Sequence, residues 1–190
     1  MIKGVIVNND MKNSDNVKSK MKYTIRAMEP GDYEQVKTLW LSIDGFCIRS
    51  LDDSEEGVLK FLARNPGLSC VCEVEEVEAG SSADAIEHGL KRRRIVGAIL
   101  CGHDGRRGCL YHVCVAKEYR MQGIGKSMVN HCMEGLHKEG INKVSLIAFT
   151  ANDVGNAFWH EIGWTKREDL NYYDFVLNKD NIFTFNKSGK

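Results

Sequence analysis

A chain of 190 residues can close one domain around a full core, and its 26 lysines and arginines balance its 26 aspartates and glutamates. Zero net charge provides no field to draw the chain onto a polyanion, which argues against a nucleic-acid surface and against an anionic-membrane binder. The basic cluster Lys91-Arg92-Arg93-Arg94 lies beside an acidic stretch and reads as a solvated loop edge. No apolar run approaches membrane-spanning length and no signal-peptide pattern opens the chain, so a cytoplasmic protein is expected. The seven cysteines are odd in number and several fall on apolar strands, which fits buried thiols in a reducing compartment. There is no C-x-x-C pair and no H-E-x-x-H, so no metal site is expected.

In chain order, residues 1–20 are polar and read as a flexible extension, and residues 21–190 as a single domain. Tyr23–Ala27 reads as a strand. Pro30 opens a helix with Tyr33, Val36, Leu39 and Trp40 at helical spacing. Asp44–Leu51 is an unusually apolar loop, either a lid on the core or a pocket wall. Asp52-Asp53-Ser54 caps a second helix, which Asn65-Pro66-Gly67 stops. Strands follow at Ser69–Val74 and Arg94–Cys101, separated by a polar connection with a short helix expected around Ala83–Leu90. Asp104-Gly105 turns the chain into a strand at Leu110–Val115, so these three strands form an antiparallel meander.

The next helix carries Met128, Val129, Cys132, Met133 and Leu136 on one face and ends at Gly140. Val144–Phe149 is then a strand parallel to Leu110–Val115, because a helix crosses between them. Asn152 or Asp153 caps a helix from Val154 to Ile162, and Tyr172–Leu177 reads as a late strand. The tail, with Phe183 and Phe185, either adds an edge strand or contacts a second subunit, as in a homodimer. The fold class expected is α+β: a mixed, mostly antiparallel sheet with one parallel pair, flanked by helices.

Between the Leu110 strand and its helix lies R-x-x-G-x-G, Arg120 to Gly125. Glycines free backbone N–H groups, and a helix start adds unpaired donors and partial positive charge, so the turn is a cradle for a phosphate. A P-loop would need glycine where Arg120 stands, and the dinucleotide fingerprint fails at Met128. The longer pattern V-x-x-x-x-R-x-x-G-x-G, Val115 to Gly125, resembles the acetyl-CoA signature of the GNAT N-acetyltransferase superfamily. The resemblance continues through Asn152 and Gly155–Trp164 and covers about Tyr23 to Leu177.

That resemblance implies acetyl-CoA as cosubstrate, bound in a slot where the two parallel strands splay apart. Pantetheine would pair with the strand edge, and backbone N–H groups of Val113, Cys114 and Val115 would meet the thioester carbonyl. The pyrophosphate would rest on Arg120, Met121, Gln122, Gly123, Ile124, Gly125 and Lys126. Arg120 would pair with a phosphate or with a neighbour; Lys126 is either a phosphate partner or a solvated lysine. Asn152 is expected to bond the pantetheine arm or adenine-side backbone, to cap its helix, or both.

The acceptor is expected to be a primary amine of a small molecule or a protein, which must lose a proton before it attacks. Tyr111 and His112 stand on the strand before the oxyanion donors. Alternation sends them to opposite faces, so at most one serves as the base; His112 is either that base or a buried histidine bonded to a carbonyl. The family's tyrosine acid, in a block like AxxFYxxxGF, falls here at Trp159, whose indole cannot give up its proton and which reads better as packing beside the thioester. Water, Tyr172 or Tyr173 would then protonate the thiolate. The missing tyrosine leaves open a rival reading, a non-catalytic acyl-CoA-binding sensor.

Overall fold

The computed structural model describes residues 21–77 and 91–186. The extension expected at 1–20 and the helix expected around Ala83–Leu90 lie outside the described residues. Strands β1 (Tyr23–Ala27), β3 (Cys70–Val77), β4 (Lys91–His103), β5 (Gly108–Val115) and β6 (Val144–Leu146) form one sheet in the order β1-β3-β4-β5-β6. All its pairs are antiparallel except β5–β6, which is parallel. The expected mixed α+β fold is therefore present.

Helix α1 (Tyr33–Leu41) follows a single 3-10 turn that begins at Pro30, and α2 is Glu55–Arg64. Helix α3 (Ile124–Lys138) is the crossover between β5 and β6; α4 is Asp153–Glu161. Helix α3 buries Met128, Val129, Cys132 and Leu136 against the sheet. Gly97 on β4 has no room for a side chain there, since a Cβ would lie 2.7 Å from the Met128 sulfur. Helix α1 buries Val36, Leu39 and Trp40 on the opposite face, so β4 is covered on both sides and its run Ile95–Cys101, glycine apart, is wholly apolar and buried.

Four expectations are corrected. The Tyr172–Leu177 strand is absent: its residues find no sheet edge to pair with and Tyr172, Tyr173, Phe175 and Leu177 stand exposed. The tail instead supplies β7 (Phe183–Phe185), which pairs antiparallel with β2 (Cys47–Arg49) inside the stretch expected to be a loop. Asn186 locks the pair, its Nδ2 donating to the carbonyls of Trp40 at 2.6 Å and Ile43 at 3.2 Å. The strand expected at Val144–Phe149 stops at Leu146, beyond which Ile147 and Phe149 point to solvent. Finally, Ser54 alone caps α2, its hydroxyl accepting the Gly57 N–H at 3.1 Å, and Asp53 is left for another task.

Candidate active site

The turn from β5 to α3 runs through a 3-10 turn at Lys117–Tyr119 and then twice enters the left-handed backbone region, at Met121 (φ 60°) and Gly123 (φ 79°). Arg120 steadies it by donating from Nε to the Val115 carbonyl at 2.9 Å. Gly123 is the N-cap of α3 and brings no side chain to cap it, so the helix's first N–H groups remain available to an anion. A Cβ at Gly123 would meet nothing within 4 Å; its backbone angle, and not crowding, calls for glycine, and the space over the turn is open. Gly125 is different: a Cβ there would lie 3.3 Å from the Phe158 ring of α4. Gln122, Gly123 and Lys126 are exposed around this opening.

The parallel ladder pairs Gly108 with Val144 through Leu110 with Leu146 and then ends. From Tyr111 to Val115, no strand among the described residues pairs with that edge of β5. The expected splay is thus present, with the uncapped helix start at its end. Across the gap, Asn152 caps α4 by accepting the Gly155 N–H at 3.0 Å. Asn156 donates to the carbonyls of Phe149 at 3.0 Å and Thr150 at 3.4 Å, fixing the segment after β6. Trp159 is half-buried, its ring 4.9 Å from that of Phe158 and 5.1 Å from that of Trp164.

Tyr111 and His112 do not face opposite ways. Ala98 pairs with Cys114 and Leu100 with Tyr111, so Ile99 alone opposes both His112 and Val113. That is a β-bulge in β5, and its extra residue breaks the alternation. His112 adopts φ 50°, a left-handed conformation that non-glycine residues seldom take. Both side chains consequently meet the α1–α2 segment: Tyr111 lies edge-on to Phe61 of α2, and His112 packs against Trp40 and Phe46.

His112 Nε2 is 2.6 Å from Asp53 Oδ1. Asp53 belongs to the stretch Asp52-Asp53-Ser54 expected to cap α2; Ser54 is the N-cap, and local sequence does not mark Asp53 for a different partner. Its Oδ2 accepts the Arg49 N–H at 2.7 Å and its carbonyl accepts the Tyr33 hydroxyl at 3.0 Å. Burial, and then the Cys109 thiol, push the Tyr111 phenol up, so at neutral pH it is a hydrogen-bond donor and not a base. Burial likewise pushes the Cys72 and Cys114 thiols up to about 12, which keeps them from being nucleophiles. Tyr172 and Tyr173, the sequence's alternative acids, are 67% and 85% exposed and sit on no strand.

Beside this cluster a cleft of about 490 Å³ is lined by Arg49, Asp52, Tyr172, Asp174 and Asn181 among others. Arg49 joins it to the buried pair: its N–H holds Asp53, while its guanidinium reaches Asp174 at 3.1 Å. Among the described residues no cluster of three metal-ligating side chains occurs, and no helix is long and apolar enough to cross a membrane.

The family model described as Acetyltransferase (GNAT) family matches residues 49–164, from the end of β2 to Trp164 just beyond α4. The chain is 27% identical over 146 residues to an acetyltransferase of Sodalis glossinidius, covering 77% of this chain and 89% of that protein. The crystal structure of a PaiA N-acetyltransferase from Thermoplasma acidophilum in complex with coenzyme A superposes with a TM-score of 0.59 at 20% identity, over 80% of this chain and 94% of that one. An aminoglycoside acetyltransferase from an uncultured soil metagenomic sample, in complex with trehalose, gives 0.56 at 18% identity, over 86% and 100% of the two chains.

Proposed function

Because the chain belongs to the acetyltransferase (GNAT) family, we propose that it moves an acetyl group from acetyl-CoA to a primary amine, of a small molecule or a protein, by direct attack in a ternary complex. The observation that carries this reading is the open edge of β5 from Tyr111 to Val115, ending at the uncapped start of α3. The edge offers pantetheine the backbone partners a neighbouring strand would have, and the helix start offers the pyrophosphate unpaired N–H groups and a positive dipole end.

In this reading backbone N–H groups of Val113, Cys114 and Val115 receive the thioester oxygen as it gains charge. The turn from Arg120 to Lys126 holds the pyrophosphate, with Lys126 adding charge at its exposed position. Asn152 acts through its cap on α4 and Asn156 through the segment after β6, both shaping the far wall of the slot. Trp159 is a packing residue of that wall. Of the two strand candidates, His112 is the base and Tyr111 a neutral donor beside the acceptor. The coenzyme A thiolate leaves without a dedicated tyrosine acid, since thiols near pKa 8.5 are tolerable leaving groups. The cleft walled by Arg49, Asp52 and Asp174 is the approach for the acceptor; Asp174 is paired with Arg49, and the Asp52 carboxylate is the one that suits a cationic amine.

The test is thiol release from acetyl-CoA in the presence of a panel of amines: polyamines, amino sugars, and peptides with free N-termini or lysines. Release that depends on one amine class and saturates with it supports the reading. Acetyl-CoA binding with no amine-dependent release from any class would favour the non-catalytic sensor.

A further inference from the structure

We propose that Asp53 is the positioning residue for His112, fixing the imidazole so that Nδ1 takes the proton from the acceptor ammonium. The proposal rests on the reading of the protein as an amine acetyltransferase. An ionised carboxylate only accepts, so at 2.6 Å from Oδ1 the His112 Nε2 carries the hydrogen, and in the neutral imidazole the lone pair then lies on Nδ1. The carboxylate cannot swing away, because Oδ2 is held by the Arg49 N–H at 2.7 Å and the Asp53 carbonyl by the Tyr33 hydroxyl. Asp53 is only 8% exposed, so water competes little for these contacts.

The imidazole is held on its faces too, with ring centroids 4.7 Å from Trp40 and 5.1 Å from Phe46. Nδ1 has no hydrogen-bonding partner among the described residues and is not a sealed polar atom, and the side chain keeps 21% exposure. One nitrogen is clamped and the other is left for a substrate. His112 also sits at the left-handed residue of a bulge on the open edge of β5, a backbone outlier of the kind that surrounding structure retains at functional sites.

The step balances. The ammonium N–H bond breaks and its proton goes to Nδ1, giving an imidazolium that Asp53 stabilises. The amine lone pair forms the N–C bond to the acetyl carbonyl, the C–S bond breaks, and its electron pair leaves on sulfur as the thiolate. The second ammonium proton goes to solvent as the amide forms, and His112 returns its own proton to solvent.

The experiment compares Asp53→Asn, His112→Gln and the double variant by amine-dependent thiol release, with acetyl-CoA affinity measured alongside. The amide of Asp53→Asn has one accepting oxygen and one donating nitrogen, so it keeps only one of the contacts to the Arg49 N–H and to His112 Nε2–H, and it carries no charge to stabilise the imidazolium. Expected are a kcat lower by about tenfold or more, a KM for acetyl-CoA within about twofold, and no additional loss when Asp53→Asn is added to His112→Gln. A purely structural Asp53 would add its full effect on that background, and this result, or an unchanged kcat in Asp53→Asn, overturns the proposal. Nitrogen-15 spectra of the wild-type imidazole in its neutral form decide independently of whether the variants fold: hydrogen on Nε2 alone is expected, and hydrogen on Nδ1 alone overturns the assignment. A wild type that releases no thiol with any amine is recognised before a variant is made, and overturns the acetyltransferase reading and this one together.

Discussion

Arg120 and Val115, the arginine and valine of the central motif, are joined directly: the arginine Nε donates to the valine carbonyl at 2.9 Å. The spacing of the motif is therefore a mechanical one. It closes the 3-10 turn back onto the last residue of β5 and so aims the start of α3. Arg120→Ala removes a charge-assisted bond at an exposed site, worth about 1 kcal/mol, so acetyl-CoA affinity should fall by about tenfold or less with the fold intact. Calorimetry against a thermal melt separates the two; an unchanged affinity would show that the turn holds its shape without the clasp.

Gly123 and Gly125 should fail for different reasons. At Gly123, φ 79° makes any side chain strained, by about 1–2 kcal/mol, and a branched one projects into the open space over the turn. Gly123→Val should lose most acetyl-CoA binding. Gly125→Leu would push on the Phe158 ring, so it should lower the melting temperature as well as the affinity. If both variants bound coenzyme A as the wild type does, the phosphate cradle would be elsewhere.

Trp159→Tyr supplies the tyrosine that the family resemblance implies for this block. The indole is half-buried between Phe158 and Trp164, so the smaller ring should cost about 1–2 kcal/mol of stability. Acetyl-CoA binding should survive, and any rise in kcat would come from the new hydroxyl. Loss of the folded signal in circular dichroism would instead make Trp159 a core residue.

Asn186 reaches from the tail to the end of α1, where Trp40 packs on His112. Asn186→Ala removes two bonds to carbonyls and should cost about 1–2 kcal/mol. It should raise the KM of the acceptor amine more than that of acetyl-CoA, because the loop it holds borders the acceptor cleft in the proposed reading. Steady-state kinetics with each substrate varied in turn would show this; equal effects on both would argue against a role for this loop on the acceptor side.

Glu76 ties β3 to Tyr119 in the turn before the cradle. The Tyr119 hydroxyl, and after it Arg94, hold its carboxyl below the usual carboxylate range. A depressed folded-state value means that the contribution is present above the ordinary glutamate value near 4.3 and is lost as pH falls through the lower folded-state one. Thermal melts of wild type and Glu76→Gln should therefore differ at neutral pH by a small amount, the site being exposed, and converge as the pH falls below about 4. A gap that widens on acidification would contradict the assignment.

What was legible in the sequence was what is local. The turn Arg120–Gly125, helix α3 with its apolar face and the Asn152 cap each follow from a few adjacent residues. The hidden parts are long-range. The bulge at His112 carries no glycine to mark it, and without it alternation wrongly separates Tyr111 from His112. Asp53 finds His112 across 59 positions, and nothing near Asp53 distinguishes it from a helix cap. Phe183–Phe185 pairs with a stretch more than a hundred residues earlier, while Tyr172–Leu177, with the better strand composition, has no edge to join. Strand propensity becomes a strand only where the fold provides a partner.

The central claim is that the open edge of β5 and the turn before α3 form an acetyl-CoA site. Calorimetric titration with acetyl-CoA, with ATP–Mg as the control, tests it most directly. The account predicts saturable one-site binding of acetyl-CoA, most of which Gly123→Val loses, and no heat with ATP–Mg. Failure to bind acetyl-CoA, or equal binding by wild type and Gly123→Val, would contradict it.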